Sequence, residues 1–246
     1  MGRIIGISGR KQAGKSTAAN YINGDIIHRR EMVKSFSIDD DGKLLIRTDL
    51  ENGTTGLGIF DVTRRDKDFV AYAEKEMWPY VKVYHFADHL KGIAIELFGI
   101  EPQCVFGSDD DKNMPTIYDW QDMPTDTGKT GPMSAREFLQ YFGTVLVREI
   151  NQNAWVQACI KRIKMEDTDV AVIPDVRFPN EVQAIKQAGG VVIRMERDPF
   201  NDSHKCESAL DSDVFDWNEF EAIVPNTAVT IPQLTEELDK ISHLWR

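Results

Sequence analysis

The chain has 246 residues, 41% of them hydrophobic and 28% charged, with mean hydropathy −0.37. No apolar run is long enough to span a bilayer, which argues against a membrane protein, and the length suits one large α/β domain or a core domain carrying insertions, one domain with insertions being favoured. The net charge of −11 argues against a nonspecific grip on duplex nucleic acid, though a local basic pocket for a small phosphate compound remains compatible with it. Three cysteines, Cys104, Cys159 and Cys206, are widely separated and lack metal-ligand spacing, so reduced thiols in a cytoplasm are expected.

In chain order, Arg3 to Ser8 reads as a short buried strand and Ser16 to Ile22 as the start of a helix. Arg10 and Lys11 interrupt this N-terminal apolar stretch, so it is not expected to act as a signal peptide. Between strand and helix lies Gly9-Arg10-Lys11-Gln12-Ala13-Gly14-Lys15-Ser16, followed by Thr17, the G-x-x-x-x-G-K-[ST] pattern of a phosphate-binding loop. The glycines let successive N–H groups curl around a polyphosphate at the positive end of the helix dipole. Lys15 is then expected to reach the β- and γ-phosphates, and the Ser16 hydroxyl to ligate Mg²⁺.

Next come two strand-type segments, Lys34 to Ile38 and Lys43 to Arg47, around Asp39-Asp40-Asp41-Gly42. A β-hairpin turn explains the three carboxylates without a metal. A glycine-rich stretch, Gly53 to Gly58, precedes Ile59 to Val62, and together these make a small β insertion at about 31–80. Helical spacing marks Phe69–Met77, Leu90–Phe98, Ala135–Ile150, Trp155–Met165, Pro179–Ala188 and Ile231–Leu244. Strands are expected at Val81–Phe86, Val170–Pro174, Val191–Met195 and Ala222–Val224, the last extended or replaced by Ala228 to Thr230. Continuous apolar strands alternating with helices predict an α/β fold with a five-stranded parallel sheet covered on both faces. Gly99 to Pro132, rich in Pro, Asp, Gly and Met, reads as a long loop. Asp109-Asp110-Asp111 and the acidic stretch from Asp211 to Glu221 read as solvated turns and helix starts.

The loop pattern alone gives nucleoside triphosphate binding. GTPase base-reading motifs of the N-K-x-D kind are missing, as is an apolar strand ending in Asp-Glu. Charged residues stand instead at strand ends, where open α/β sheets bind ligands. Asp175 and Arg177 follow one strand: the carboxylate suits Mg²⁺ held through water and the guanidinium suits a phosphate, while helix capping and a surface pair compete as explanations. Arg197 follows another, with charge stabilisation in phosphoryl transfer and a surface ion pair as its two readings. Arg136, Gln140 and Thr144, spaced four apart, fall on one helix face, with Gly143 allowing close approach. That face is compatible with base and phosphate recognition and equally with an ordinary amphipathic helix.

The loop with Thr17, Tyr84-His85-Phe86-Ala87-Asp88-His89-Leu90-Lys91, Gln140 to Thr144 followed by Trp155, Pro174 to Arg177, and His204-Lys205-Cys206-Glu207 share an order and spacing along nearly the whole chain. In that order they resemble the deoxynucleoside monophosphate kinases of tailed bacteriophages. The resemblance implies a single P-loop kinase domain over 1–246, of three-layer architecture, that moves the γ-phosphate of ATP to a deoxynucleoside monophosphate. It implies that Gly9, Arg10, Ala13, Gly14, Lys15, Ser16 and Thr17 hold ATP, with Asn226 and Thr227 beside its adenine. It further implies that Asp88, Lys91, Arg136, Gln140, Gly143, Thr144 and Trp155 surround the acceptor. Asp175, His204 and Glu207 also fall to the substrate side, and Lys15, Arg177 and Arg197 neutralise transferred charge. A lid is expected at about 197–210, its turn-forming composition suited to closing over phosphates and excluding water.

Partners implied are small nucleotides, with no nucleic acid or membrane, and a homodimer is compatible with the resemblance. Two other readings stand beside this one: a different small-molecule P-loop kinase, of the dephospho-coenzyme A kinase or guanylate kinase type, and a regulatory module that binds nucleotide without transferring it.

Overall fold

Strand β1 (Arg3–Ser8) is buried along its length after Arg3, as a largely apolar segment must be when helices cover both faces of its sheet. In the computed structural model, which describes residues 2–49, 53–125, 127–197, 208–226 and 230–246, it is the centre of a five-stranded sheet. The strands of that sheet include β5 (Val81–Val83), β8 (Val170–Val176), β9 (Val191–Glu196) and β10 (Ala222–Pro225), in the order β10-β9-β1-β8-β5. Every pairing is parallel, so all five expected strands are present. The alternative strand at Ala228 to Thr230 falls largely outside the described residues. β8 runs two residues beyond its expected end. Its register against β1 slips there, from Gly6 opposite Ile173 to Ser8 opposite Val176, at a proline that has no N–H for the ladder.

Close packing of Cα atoms divides the chain into two compact units, Met1–His85 with Ile160–Arg246, and Phe86–Cys159. The first holds the parallel sheet and helix α1 (Lys15–Arg29), with a core of Ile5, Ile7, Ile22, Ile26, Val172 and Ile193 among others. It also carries the insertion, an antiparallel sheet of β2 (Ser35–Ile38), β3 (Leu44–Asp49) and β4 (Thr55–Ile59). The expected hairpin is there, its turn closed by Asp39, whose carboxylate accepts from the N–H groups of Asp41 and Lys43. The third strand of the insertion starts in the glycine-rich segment and ends at Ile59, because pairing with β3 overrides the poor strand propensity of Gly56 and Gly58. Two glycines let this sheet lie on α1. A Cβ on Gly24 would stand 2.3 Å from Phe36 Cδ2, and one on Gly42 would stand 2.3 Å from Thr17 Oγ1. Asn20 Nδ2 donates to the Gly42 carbonyl at 2.9 Å.

The second unit begins with α2's successor in the chain: after α2 (Lys67–Glu76) in the first unit comes α3 (Asp88–Glu96). Where a long loop was expected, the chain makes α4 (Pro102–Phe106), α5 (Asp109–Lys112) and β6 (Pro115–Asp119), which pairs with β7 (Pro132–Ser134). The run Asp109-Asp110-Asp111 opens α5, capped by Ser108, so it is a helix start as read. Met133, Ala135, Phe138, Tyr141, Ala94 and Val105 form this unit's core. The helix expected over Ala135–Ile150 is divided into α6 (Ala135–Gln140), a π-helix at Tyr141–Val147, and a last turn α7 (Arg148–Ile150). Among the described residues no helix is long and apolar enough to cross a membrane.

Candidate active site

The loop from Gly9 to Lys15 joins the end of β1 to α1 at the point where β1 has β8 on one side and β9 on the other, the switch point at which open α/β sheets bind ligands. Gly14 is the N-cap of α1 and is left-handed, φ 88° and ψ 16°, a conformation that glycine adopts without a Cβ penalty. Lys15 folds back over the loop, its Nζ donating to the carbonyls of Gly9 and Arg10 at 2.7 Å each. Ser16 is exposed in the first helical turn, leaving its hydroxyl accessible beside N–H groups that have no partner within the helix. The arrangement fits a bound polyphosphate and a hard cation at the serine hydroxyl.

Side chains from distant parts of the same unit brace this loop. Asn226, after β10, is 3% exposed and donates from Nδ2 to the Ala13 carbonyl at 2.8 Å. The same amide nitrogen would lie 2.7 Å from a Cβ on Gly14, so the glycine is also required sterically. On the other flank, Arg10 binds the Asp211 carboxylate through Nε at 3.2 Å and through Nη2. Arg194 of β9 reaches the same carboxylate at 3.1 Å and donates to Ser8 Oγ at 3.0 Å. Arg194 is only 4% exposed, and burial lowers its pKa, while Asp211 acts in the opposite direction. Arg10, Arg194, Glu196, Arg197, Asp211 and Trp217 line a cavity of about 510 Å³.

At the end of β8, Asp175 and Arg177 are half-buried. The backbone N–H groups of Arg177 and Phe178 both donate to Glu181 Oε2, at 2.7 and 3.0 Å. Glu181 thus caps the helix Pro179–Gln187, a task for which Asp175 was the candidate in the sequence.

The expected acceptor residues all lie in the second unit. Asp88 opens α3, and Lys91 on the same helix places Nζ 4.8 Å from the Phe106 ring centroid. Arg136 donates to Asp109 Oδ1 at 2.7 Å and to Asn113 Oδ1 at 3.1 Å. Gln140 and Thr144 are exposed and Gly143 is buried. Trp155, 7% exposed, donates its indole N–H to the Gly143 carbonyl at 2.9 Å. Thr227, His204 and Glu207, together with most of the expected lid, lie outside the described residues.

Asp211 is the residue that sequence reading missed. Its acidic stretch reads as a solvated turn, yet its side chain is only 14% exposed. The available signal was Arg194, a guanidinium at an inward position of an otherwise apolar strand, which requires a buried carboxylate somewhere in the chain.

Comparison with known proteins supports one family. Residues 3–226 match the sequence profile of the family described as deoxynucleotide monophosphate kinase. A protein of Acanthamoeba polyphaga mimivirus, named provisionally as a deoxynucleotide monophosphate kinase, is 29% identical over 141 residues, 52% of this chain and 67% of the relative. The deoxynucleoside-5'-monophosphate kinase of Escherichia phage T5 is 41% identical over 56 residues, 22% of each chain.

Proposed function

The chain belongs to the deoxynucleotide monophosphate kinase family, and from that premise we propose that it transfers the γ-phosphate of ATP to a deoxynucleoside 5'-monophosphate, releasing ADP and the diphosphate. The observation that carries the donor half is the loop from Gly9 to Lys15, with left-handed Gly14 and with Lys15 arched over the Gly9 and Arg10 carbonyls. Its backbone N–H groups bind the β-phosphate, and Lys15 exchanges its carbonyl contacts for the β- and γ-oxygens and follows the migrating group. Mg²⁺ would be held by the Ser16 hydroxyl directly and by Asp175 through water, and would supply positive charge against the phosphates. Asn226 keeps the loop in shape from behind, and Asn226 and Thr227 are the residues assigned to the ATP adenine.

The acceptor half rests on Asp88, Lys91, Arg136, Gln140, Gly143, Thr144 and Trp155. Arg136, now on Asp109, takes the monophosphate by its planar fork, and exposed Gln140 and Thr144 bond to the base and sugar. Arg177 and Arg197 stabilise charge during in-line transfer, where positioning and electrostatics supply nearly all the catalysis. His204 and Glu207 belong to a lid that excludes water and so suppresses hydrolysis of ATP.

An ADP-release assay with Mg·ATP tests this against the four deoxynucleoside monophosphates, the matching ribonucleotides and a pantetheine acceptor. Turnover with at least one deoxynucleoside monophosphate is expected. Turnover only with pantetheine, or ATP binding with no acceptor-dependent release, refutes it.

A further inference from the structure

A π-helix of seven residues, Tyr141–Val147, is long for a conformation that usually occurs as a single turn and often marks a functional site. Its wider winding changes which side chains share a face. In a continuous α-helix the core row through Phe138 would continue through Tyr141 or Phe142 to Val145 and Glu149. Val145 and Glu149 are instead exposed, and the half-buried row passes through Leu146 and Val147. The exposed row correspondingly runs Gln140, Thr144 with Val145, then Glu149 with Ile150, a spacing of four to five residues that matches i→i+5 winding. Phe142 packs at 5.1 Å from the Phe98 ring centroid, while Tyr141 accepts the Thr125 N–H on its hydroxyl at 3.1 Å. Two consecutive aromatic residues therefore both find packing partners.

Two contacts hold this segment at Gly143. The buried indole of Trp155 donates to the Gly143 carbonyl at 2.9 Å, and a buried indole N–H requires such an acceptor. On α3, the Leu90 side chain packs so close that a Cβ on Gly143 would stand 2.7 Å from Leu90 Cδ2. Reversion of the segment to α-helix turns everything after it by one residue, about 100° around the axis. The Gly143 carbonyl would then leave the indole N–H unpaired, and Thr144 would leave the row begun by Gln140.

We infer that Trp155 is a positioning residue for the acceptor nucleotide: through the Gly143 carbonyl it locks the π-helix whose pitch presents Gln140 and Thr144 together. This deepens the proposed acceptor site and rests on it. Trp155→Phe keeps an aromatic ring and removes the donor. In the purified full chain, it is expected to raise the KM for the deoxynucleoside monophosphate about five- to tenfold, the loss of one hydrogen bond that orders the site. The KM for ATP and kcat should stay within about twofold, and amide exchange over 141–150 should accelerate. If Trp155→Phe does not fold, β-(3-benzothienyl)alanine at position 155, an indole isostere without the N–H, replaces it.

A merely structural role would lower the active fraction, reducing kcat while leaving both KM values unchanged. That result, or an unchanged KM for the acceptor, overturns the inference. Gln140→Ala and Thr144→Val separate the underlying reading. If both leave the acceptor KM unchanged in an active enzyme, the acceptor-site assignment fails; if they raise it and Trp155→Phe does not, only the positioning role fails.

Discussion

Replacing Asp211 by Asn keeps the size of the side chain and deletes the charge shared by Arg10 and Arg194. Arg194 is 4% exposed and would keep hydrogen-bond acceptors in Ser8 Oγ, at 3.0 Å, and in the Asn amide oxygen, but would lose the negative charge that compensates its burial. Removing one partner of a buried ion pair costs about 3–5 kcal/mol, because the remaining charge stays out of water uncompensated. Asp211 is 14% exposed, so water screens part of that loss and about 2–3 kcal/mol is expected. For a chain of this size, 1 kcal/mol moves the midpoint by about 2–4 °C, which places the variant about 4–12 °C below the parent. Thermal unfolding followed by circular dichroism reads this directly. Arg194→Met supplies the control, since with only the Arg10 pair left to lose, the Asp211→Asn change should cost measurably less than in the parent. A midpoint within about 2 °C of the parent, or an equal loss in the Arg194→Met background, would refute the account of Asp211 as counter-charge to a buried arginine.

Lys15→Ala should lower kcat by about two to three orders of magnitude, as loss of a charge directed at the transferred group does, with the midpoint nearly unchanged; equal damage to folding and turnover would contradict its role. Asn226→Ala leaves the buried Ala13 carbonyl without its 2.8 Å donor and should cost about 1–3 kcal/mol. Its KM for ATP should rise, whereas an unchanged KM would show that the loop holds its shape unaided. Burial alone would raise the pKa of Glu166, but hydrogen bonds from Lys82, Arg162 and Tyr84 outweigh it and hold the carboxylate below its ordinary value. A carboxylate with a depressed folded pKa contributes stability above its unfolded pKa and loses it as pH falls through the folded one. Urea titrations between pH 7 and 3 should therefore show a shallower acid limb for Glu166→Gln; parallel limbs would rule this carboxylate out.

The five parallel strands were legible because each is a short run made mostly of apolar residues, which a sheet buried on both faces imposes on sequence. The phosphate loop was legible because its chemistry is local, with glycines and lysine inside nine residues of chain. Asp211 was not, since its partner Arg10 is 201 residues away and nothing in an acidic turn announces a buried guanidinium. Short α4, α5 and β6 fall below the length at which periodicity can be read. The π-helix was hidden for a different reason: Tyr141 to Val147 satisfies an α-helical pattern, and the choice between windings is made by Leu90 and Trp155. The glycine-rich β4 was not legible as a strand for the same kind of reason, because its pairing partner outweighs its composition.

The hairpin turn on α1 has a consequence for engineering. Gly42, at φ 78°, sits where any Cβ would strike Thr17 Oγ1, and its carbonyl accepts from Asn20. The insertion thus acts as a splint along the very helix that begins at the phosphate loop. A shortened enzyme made by excising residues 35–59 would uncover Tyr21 and Gly24 where Phe36 now packs. It would also strip Thr17 and Asn20 of their neighbour, so trimming an apparently peripheral sheet would loosen the helix end that faces the triphosphate.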